Sequence, residues 1–266
     1  MADAPLRGHA VTVVAEADGL RRAAMQNFAA WNRTALTVFL STPWNEADVA
    51  AQMFTPQREI AASGDALLAV AAAWALAGPP AREKNLLQVS VQGKIVPVDM
   101  QGAVPAFAAP PARIAPLPDR SRARLLAALG LPASAVSDAA LVDNGPLWQM
   151  LALGSVADLP RRLPDVPREA AGLVLVCATP GGDGALDVRR TGAAEGAGGG
   201  AGDPLSGLLH AAVAQWQAAR GLLPDPLTLR ETRADGRCCR STVSRAGARL
   251  MVGGAAAVVA TGSVWL

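Results

Sequence analysis

The stretch Gly64-Asp65-Ala66-Leu67-Leu68-Ala69 has an echo in the second half of the chain, Gly202-Asp203-Pro204-Leu205-Ser206-Gly207. The two stretches share a Gly-Asp-x-Leu core, and each opens a run that predicts a helix of similar length. An aspartate at such a position accepts hydrogen bonds from the unpaired amides of the first turn, so Asp65 and Asp203 are predicted N-caps. One echo in each half suggests two related lobes.

Two interpretations of this echo stay open. In the first, both aspartates only cap helices and take no part in chemistry. In the second, two related lobes bring both helix starts to a shared cleft, where backbone amides hold a carboxylate or another anion.

Length and composition favour a globular protein of two lobes. The chain has 266 residues, of which 51% are hydrophobic and 17% charged, and this balance argues against disorder. The net charge is +2 without a dense stripe of Lys and Arg, so nucleic acid is not an expected partner.

The chain begins without a basic segment and apolar run of the kind that directs export or anchoring, so we expect a cytoplasmic protein with no membrane partner. Three cysteines, two of them adjacent, and two distant histidines predict neither a disulfide framework nor a metal site. The segment 192–202 is almost entirely Gly and Ala. It lacks the context of a dinucleotide fingerprint, so no cofactor is expected.

Local patterns alternate between strand and helix and indicate an α+β protein. Helices are predicted at 20–31, 66–76, 121–129 and 205–216. Strands are predicted at 6–14, 37–40, 49–54, 86–91, 95–100, 104–107, 147–153, 173–177, 241–244, 249–252 and 256–260. The apolar stretch 250–266 is interpreted as a terminal hairpin, and the proline-rich segment 110–118 as a linker between lobes at 1–115 and 116–266, whose last strands are free to pack back on the first lobe.

Several motifs, in their order, resemble the phenazine-biosynthesis PhzF family, whose relatives include diaminopimelate epimerase and proline racemase. Phe54-Thr55-Pro56-Gln57-Arg58-Glu59-Ile60 is similar to the family's Phe-Thr-Pro-x-x-Glu segment. Gly8-His9-Ala10, Met25-Gln26-Asn27-Phe28-Ala29, Asn144-Gly145-Pro146 and Gly253-Gly254-Ala255-Ala256-Ala257-Val258 resemble four further segments of the family. The resemblance covers most of the chain.

The resemblance implies two similar lobes, each a curved mixed β-sheet around a central helix, with a cleft between them, usually in a homodimer. It also implies that acid–base residues have been lost. Leu36, Asp65 and Leu208 stand where the family has Glu, His and Ser, and Asp203 alone is retained. His9 takes the family's strand-end Asn position. One interpretation is that it reaches the cleft, and a loop or strand-end role is at least as good an interpretation.

These observations predict a divergent isomerase or epimerase that moves a proton on a small-molecule ligand in the cleft. Asp203 and Asp65 are the catalytic candidates, sharing one proton because two nearby carboxylates resist ionising together. The alternative is a non-catalytic binding or interaction protein that kept the fold after losing the catalytic Glu. The residues predicted to contact the ligand are Gly64, Ala66, Gly202, Ser206, Gly207, Leu36 and Leu208.

Overall fold

A computed structural model describes residues 6–155, 172–178, 184–190, 205–232 and 238–266 of the chain. The helices are α1 (Arg22–Asn32), α2 (Gly64–Ala77), α3 (Asp119–Leu129) and α4 (Ser206–Ala219), with a 3-10 turn at Ala133–Ala135. The strands of the first half are β1 (Val11–Val14), β2 (Leu36–Ser41), β3 (Val49–Phe54), β4 (Glu59–Ile60), β5 (Leu86–Val91), β6 (Lys94–Asp99), β7 (Ala106–Ala108) and β8 (Arg113–Pro116). Those of the second half are β9 (Val136–Asp143), β10 (Leu147–Leu153), β11 (Leu173–Ala178), β12 (Leu186–Arg190), β13 (Leu227–Thr232), β14 (Cys238–Ala246) and β15 (Arg249–Gly253).

The strands form one mixed sheet in the order β1-β2-β3-β5-β6-β7-β15-β14-β13-β12-β11-β10-β9-β8, with β4 paired to β3. The sheet contains parallel pairs such as β1 with β2 and antiparallel pairs such as β5 with β6. The predicted α+β class with mixed sheets is therefore confirmed. Strand β15 pairs with β14 on one side and with β7 on the other, so a late strand completes the ladder of the first half.

Each half of the sheet packs around one apolar helix. Helix α2 contacts β1, β2, β6 and β7, whereas α4 contacts β9, β13, β14 and β15. Both helices have an almost uninterrupted apolar sequence, which is typical of a helix covered on all sides. The helices also contact each other, so the helix of one half of the sheet packs against the helix of the other half.

One prediction about the irregular segments is wrong, and another segment contains a strand that was not predicted. Residues 256–260 form no strand, and the chain after Gly253 is neither helix nor strand, so the terminal hairpin is absent. The proline-rich segment 110–118 contains β8, which pairs with β9 as the last strand of the sheet. Proline is tolerated there because an edge strand leaves one row of amides unpaired.

Among the described residues, five strands escaped the sequence patterns, namely β4, β8, β9, β12 and β13. The segment 192–202 and most of the predicted turn at 181–184 lie outside the described residues. Among the residues described, no helix has the length and apolar character needed to cross a membrane. The division into lobes at 1–115 and 116–266 stays a prediction.

Candidate functional site

The first turns of α2 and α4 touch through two glycines. A Cβ built on Gly207 would lie 2.7 Å from the Cα of Gly64, and one built on Gly64 would lie 2.4 Å from the Phe107 ring. Any side chain at either position would therefore force the helices apart. The sequence echo pairs Gly64 with Gly202, whereas the structure pairs Gly64 with Gly207.

Asp65 does not cap its own helix, so the N-cap prediction for this residue is wrong. Ser63 is the N-cap of α2, and its hydroxyl accepts the Ala66 amide at 3.3 Å. The carboxylate of Asp65 instead points at the other helix, where Oδ2 accepts the amide of Gly207 at 3.2 Å. It therefore occupies the positive end of α4, a position suited to an anion.

His9 lies on the other side of the same carboxylate. Its Nδ1 is 3.5 Å from Oδ1 of Asp65, and the two side chains are only 2% and 1% exposed. His9 approaches from the residues before β1, so the pair joins the first strand to the start of α2. Sequence reasoning noticed His9 but did not connect it to Asp65.

The environment keeps Asp65 ionised. Burial alone would raise its pKa, but the hydrogen bond and charge of His9, with the Gly207 amide, lower that pKa well below the ordinary value. An ionised carboxylate accepts the Nδ1 proton and fixes the imidazole orientation, which makes Nε2 the nitrogen suited to proton transfer. A lowered pKa makes Asp65 a carboxylate at neutral pH, beside a histidine.

A second buried polar cluster lies beneath the first turn of α4. Glu231 on β13 accepts a hydrogen bond from Nε of Arg190 at 2.7 Å, and its other oxygen is 3.7 Å from Nε2 of His210. His210 Nδ1 is in turn 2.7 Å from the hydroxyl of Ser241. Ser206 in the same turn is fully buried.

Arg190 is the charged partner of Glu231 in this cluster. Burial would raise the pKa of Glu231, but the charge and the hydrogen bond of the Arg190 guanidinium lower it below its ordinary value. Burial lowers the pKa of His210 below its ordinary 6.5, so its imidazole is neutral at neutral pH. Burial and Glu231 raise the pKa of the Cys239 thiol to about 12, so Cys239 is not a nucleophile.

Glu231 is the charged residue that sequence reasoning missed, although a signal was present. In β13 the side chains at Leu227, Leu229 and Glu231 alternate with less buried neighbours. A carboxylate in the third inward position of an apolar face requires a buried partner. That partner, Arg190, comes from β12, which the sequence patterns also missed.

Most of the residues predicted to contact the ligand lie where the first turns of α2 and α4 meet. Gly64, Ala66, Ser206, Gly207 and Leu208 lie in the first turns of α2 and α4, and all are buried. Leu36 is buried on β2. Gly202 and Asp203 lie outside the described residues. The proton-sharing pair of Asp65 and Asp203 therefore stays a prediction from sequence.

Asn144 holds the start of α4 in place. Its side-chain amide donates to the carbonyl of Leu208 at 2.8 Å, and its oxygen accepts the Trp148 indole N–H at 3.0 Å. Among the described residues, no group of three or more His, Cys, Asp or Glu side chains is placed to hold a metal ion.

Comparisons with known proteins show the family and the fold of the chain. A family model described as phenazine biosynthesis-like protein matches residues 1–262. A solved structure of a phenazine biosynthesis protein of the PhzF family from Enterococcus faecalis superposes with a TM-score of 0.75 at 21% identity, covering 100% of this chain and 96% of that one.

Two curated proteins match part of the chain. Antisense-enhancing sequence 1 of Schizosaccharomyces pombe is 27% identical over 168 residues, covering 59% of this chain and 56% of that protein. Trans-2,3-dihydro-3-hydroxyanthranilate isomerase of Pseudomonas aeruginosa is 29% identical over 177 residues, covering 62% of this chain and 58% of the isomerase. In both cases the match spans less than two thirds of the relative.

Proposed function

Because the chain belongs to the phenazine biosynthesis-like protein family, we propose that it is an isomerase that moves a proton within a small molecule where α2 and α4 meet. The observation that carries this proposal is the buried pair of His9 and Asp65 against the amide of Gly207. A relative named as an isomerase supports the same class of reaction.

In this proposal His9 is the acid–base group and Asp65 positions it. His9 Nε2 takes a proton from a carbon next to an activating group, and the resulting imidazolium is stabilised by the Asp65 carboxylate. The proton then returns to a different carbon or to the opposite face. Asp203 remains the candidate for the second proton-transferring group, as a prediction from sequence.

The charge at the junction favours a neutral or cationic ligand. The Gly207 amide at the positive end of α4 already donates to Asp65, so this donor is not available to a substrate carboxylate. A second anion beside the ionised Asp65 would be repelled in a buried environment.

Deuterium wash-in from heavy water tests the proposal directly. Wild type should exchange one carbon-bound proton in at least one member of a panel of small amino acids, hydroxy acids and their neutral amides, as seen by proton NMR. His9→Gln should lower that rate about 10²–10⁴-fold, and Asp65→Asn should also lower it. Glu46→Gln, which alters an exposed carboxylate, is the matched control and should keep the wild-type rate. No exchange in any panel member would contradict the proposal.

One observation favours a second candidate, a binding protein without catalysis. Leu36 and Leu208, where the family has Glu and Ser, are buried, and His9 and Asp65 expose almost no side-chain surface. This alternative predicts that a panel compound raises the melting temperature of wild type and His9→Gln equally, with no deuterium exchange in either protein.

A further inference from the structure

Each of the two histidines in the chain lies beside a buried carboxylate. His9 beside Asp65 is the proposed catalytic pair, whereas the proposed mechanism does not use His210 beside Glu231. His210 and Glu231 are fully buried, and burying a carboxylate costs free energy unless it is paired and hydrogen-bonded. The second pair therefore points to a role of its own in the fold or in the site.

The side chain of His210 joins α4 to two strands of the sheet. Its Nδ1 is 2.7 Å from the hydroxyl of Ser241 on β14, and its Nε2 is 3.7 Å from Oε2 of Glu231 on β13. Nε2 has no hydrogen-bond partner among the described residues, so the carboxylate is the group that it faces. Arg190 on β12 donates from Nε to the other oxygen of Glu231 at 2.7 Å, which fixes the carboxylate in place.

The carboxylate of Glu231 selects the tautomer of the imidazole. Although burial would raise the pKa of Glu231, the charge of Arg190 lowers it, so the carboxylate is ionised. Burial lowers the pKa of His210, so the ring is neutral. A neutral ring beside an anion carries its proton on the facing nitrogen, here Nε2, and Nδ1 then accepts the hydroxyl proton of Ser241. With both nitrogens assigned, the ring has one orientation.

The position of α4 on the sheet determines its contact with Asp65. Gly207, whose amide donates to Oδ2 of Asp65 at 3.2 Å, lies three residues before His210, one turn away on the same side of the helix. Burial lowers the pKa of His210 and the charges of Glu231 and Asp65 oppose that lowering, so Asp65 is near enough for its charge to act on the ring. A shift of α4 therefore reaches the Asp65 hydrogen bond directly.

We propose that His210 is a positioning residue for the Asp65 site and that Glu231 holds it in this role. The fixed ring holds the first turn of α4 on the sheet, and this placement keeps the Gly207 amide at hydrogen-bond distance from the Asp65 carboxylate. His210 and Glu231 act through α4 and not by touching a ligand. The consequence for catalysis rests on the proposed function, whereas the consequence for the Gly207 hydrogen bond does not.

Proton–nitrogen NMR of the Gly207 amide at pH 7 tests the inference without a substrate. In wild type the amide proton should resonate downfield, as expected for a donor to a carboxylate, and His210 should carry its proton on Nε2. Glu231→Gln should move the Gly207 signal upfield, because a neutral side-chain amide no longer selects one tautomer of His210. The same variant should raise the pKa of Asp65 toward its ordinary value.

Two further variants separate positioning from a loss of stability. Leu151→Ala removes a fully buried side chain from the apolar cluster that packs against α3, so it should destabilise the protein and leave the Gly207 amide unchanged. Ser241→Ala retains both charges of the ion pair and removes only a hydroxyl, so we expect it to fold even if Glu231→Gln does not. It should move the Gly207 signal in the same direction.

An unchanged Gly207 amide in Glu231→Gln or Ser241→Ala, an upfield shift in Leu151→Ala, or a wild-type His210 with its proton on Nδ1 would each overturn the inference. Deuterium wash-in then measures the catalytic consequence. Glu231→Gln should lower the exchange rate about 10²-fold, as for a misplacement of about 1 Å, and an unaltered rate would also overturn the positioning role. A wild type without exchange would contradict the proposed function, and the NMR result would still decide this inference.

Discussion

The carboxylate of Asp65 contacts two groups that lie far from it in sequence, the His9 imidazole and the Gly207 amide. The sequence identifies Asp65 because of its place in the Gly-Asp-x-Leu echo. It does not identify these partners, because contacts across 56 and 142 positions depend on how distant parts of the chain pack together. Local capping rules predicted a bond within the helix, and tertiary packing replaced it.

Asp65→Asn tests the ionisation of this carboxylate through stability. The folded state holds the pKa of Asp65 below its ordinary 3.8, so its charge contributes stability that is complete above pH 4 and is lost as the pH falls through the lowered pKa. In urea unfolding at pH 7 the variant should be about 2 kcal/mol less stable, as for other buried hydrogen bonds to charged groups. The difference should be the same at pH 5 and smaller at pH 3.5. A difference that grows on acidification would contradict this assignment.

His210→Gln tests the second cluster in a different pH range. Burial lowers the pKa of His210 in the folded state, so the unfolded chain binds a proton that the folded protein does not. Wild-type stability should therefore be complete above pH 6.5 and should fall as the pH is lowered toward the folded pKa. Urea unfolding between pH 7 and 5 should show this loss in wild type and little of it in the variant. Equal slopes in the two proteins would exclude a neutral buried His210.

Contacts between elements explain which glycines the fold requires. The close approach of α2 and α4 requires glycine at positions 64 and 207. It brings the first turn of α4 next to Asp65, which lies in the first turn of α2.

The predicted strands 49–54, 86–91 and 147–153 have the bounds observed, because their apolar runs end at clear turn residues. β9 was missed because its polar positions break the alternation, and pairing with β8 and β10 holds it in the sheet.

Gly207→Ala tests the helix contact. Alanine normally stabilises a helix relative to glycine by about 1 kcal/mol, but here its Cβ would meet the backbone of Gly64 at 2.7 Å. We expect the variant to lose about 1–3 kcal/mol in the free energy of unfolding, as in other overpacked sites. Gly154→Ala is the control, since no atom lies within 4 Å of its added Cβ. A Gly207→Ala protein as stable as wild type would show that the helices are further apart.

At the scale of the whole molecule, one sheet links both halves, with β15 between β7 and β14. Apolar patterns in the sequence predicted most of the strands and helices because they reflect burial, and the family resemblance implied the two central helices. These patterns predicted a strand at 256–260 for the same reason, but a β-prone segment forms a ladder only where a partner strand lies beside it. The amino-acid sequence of one chain does not show whether such a partner strand lies beside the segment.

Phe107→Ala tests whether the halves unfold together. Phe107 on β7 is fully buried, pairs with Val252 of β15 and contacts the start of α2. Removing its ring should cost about 3–5 kcal/mol. Native-state hydrogen exchange should show the same loss of protection in the amides of α2 and α4. A loss confined to α2 would show that the two halves open independently.

The charge of Asp65 decides the proposed mechanism, because an ionised Asp65 positions His9 whereas a proton-sharing Asp65 would itself be the acid. The carboxyl carbon of Asp65, followed by NMR in wild type from pH 7 downward, measures this charge. We predict a chemical shift typical of a carboxylate that stays constant until the protein unfolds in acid. A titration with a midpoint at or above the ordinary aspartate value of about 3.9 would contradict the assignment. It would favour the earlier prediction that Asp65 and Asp203 share one proton.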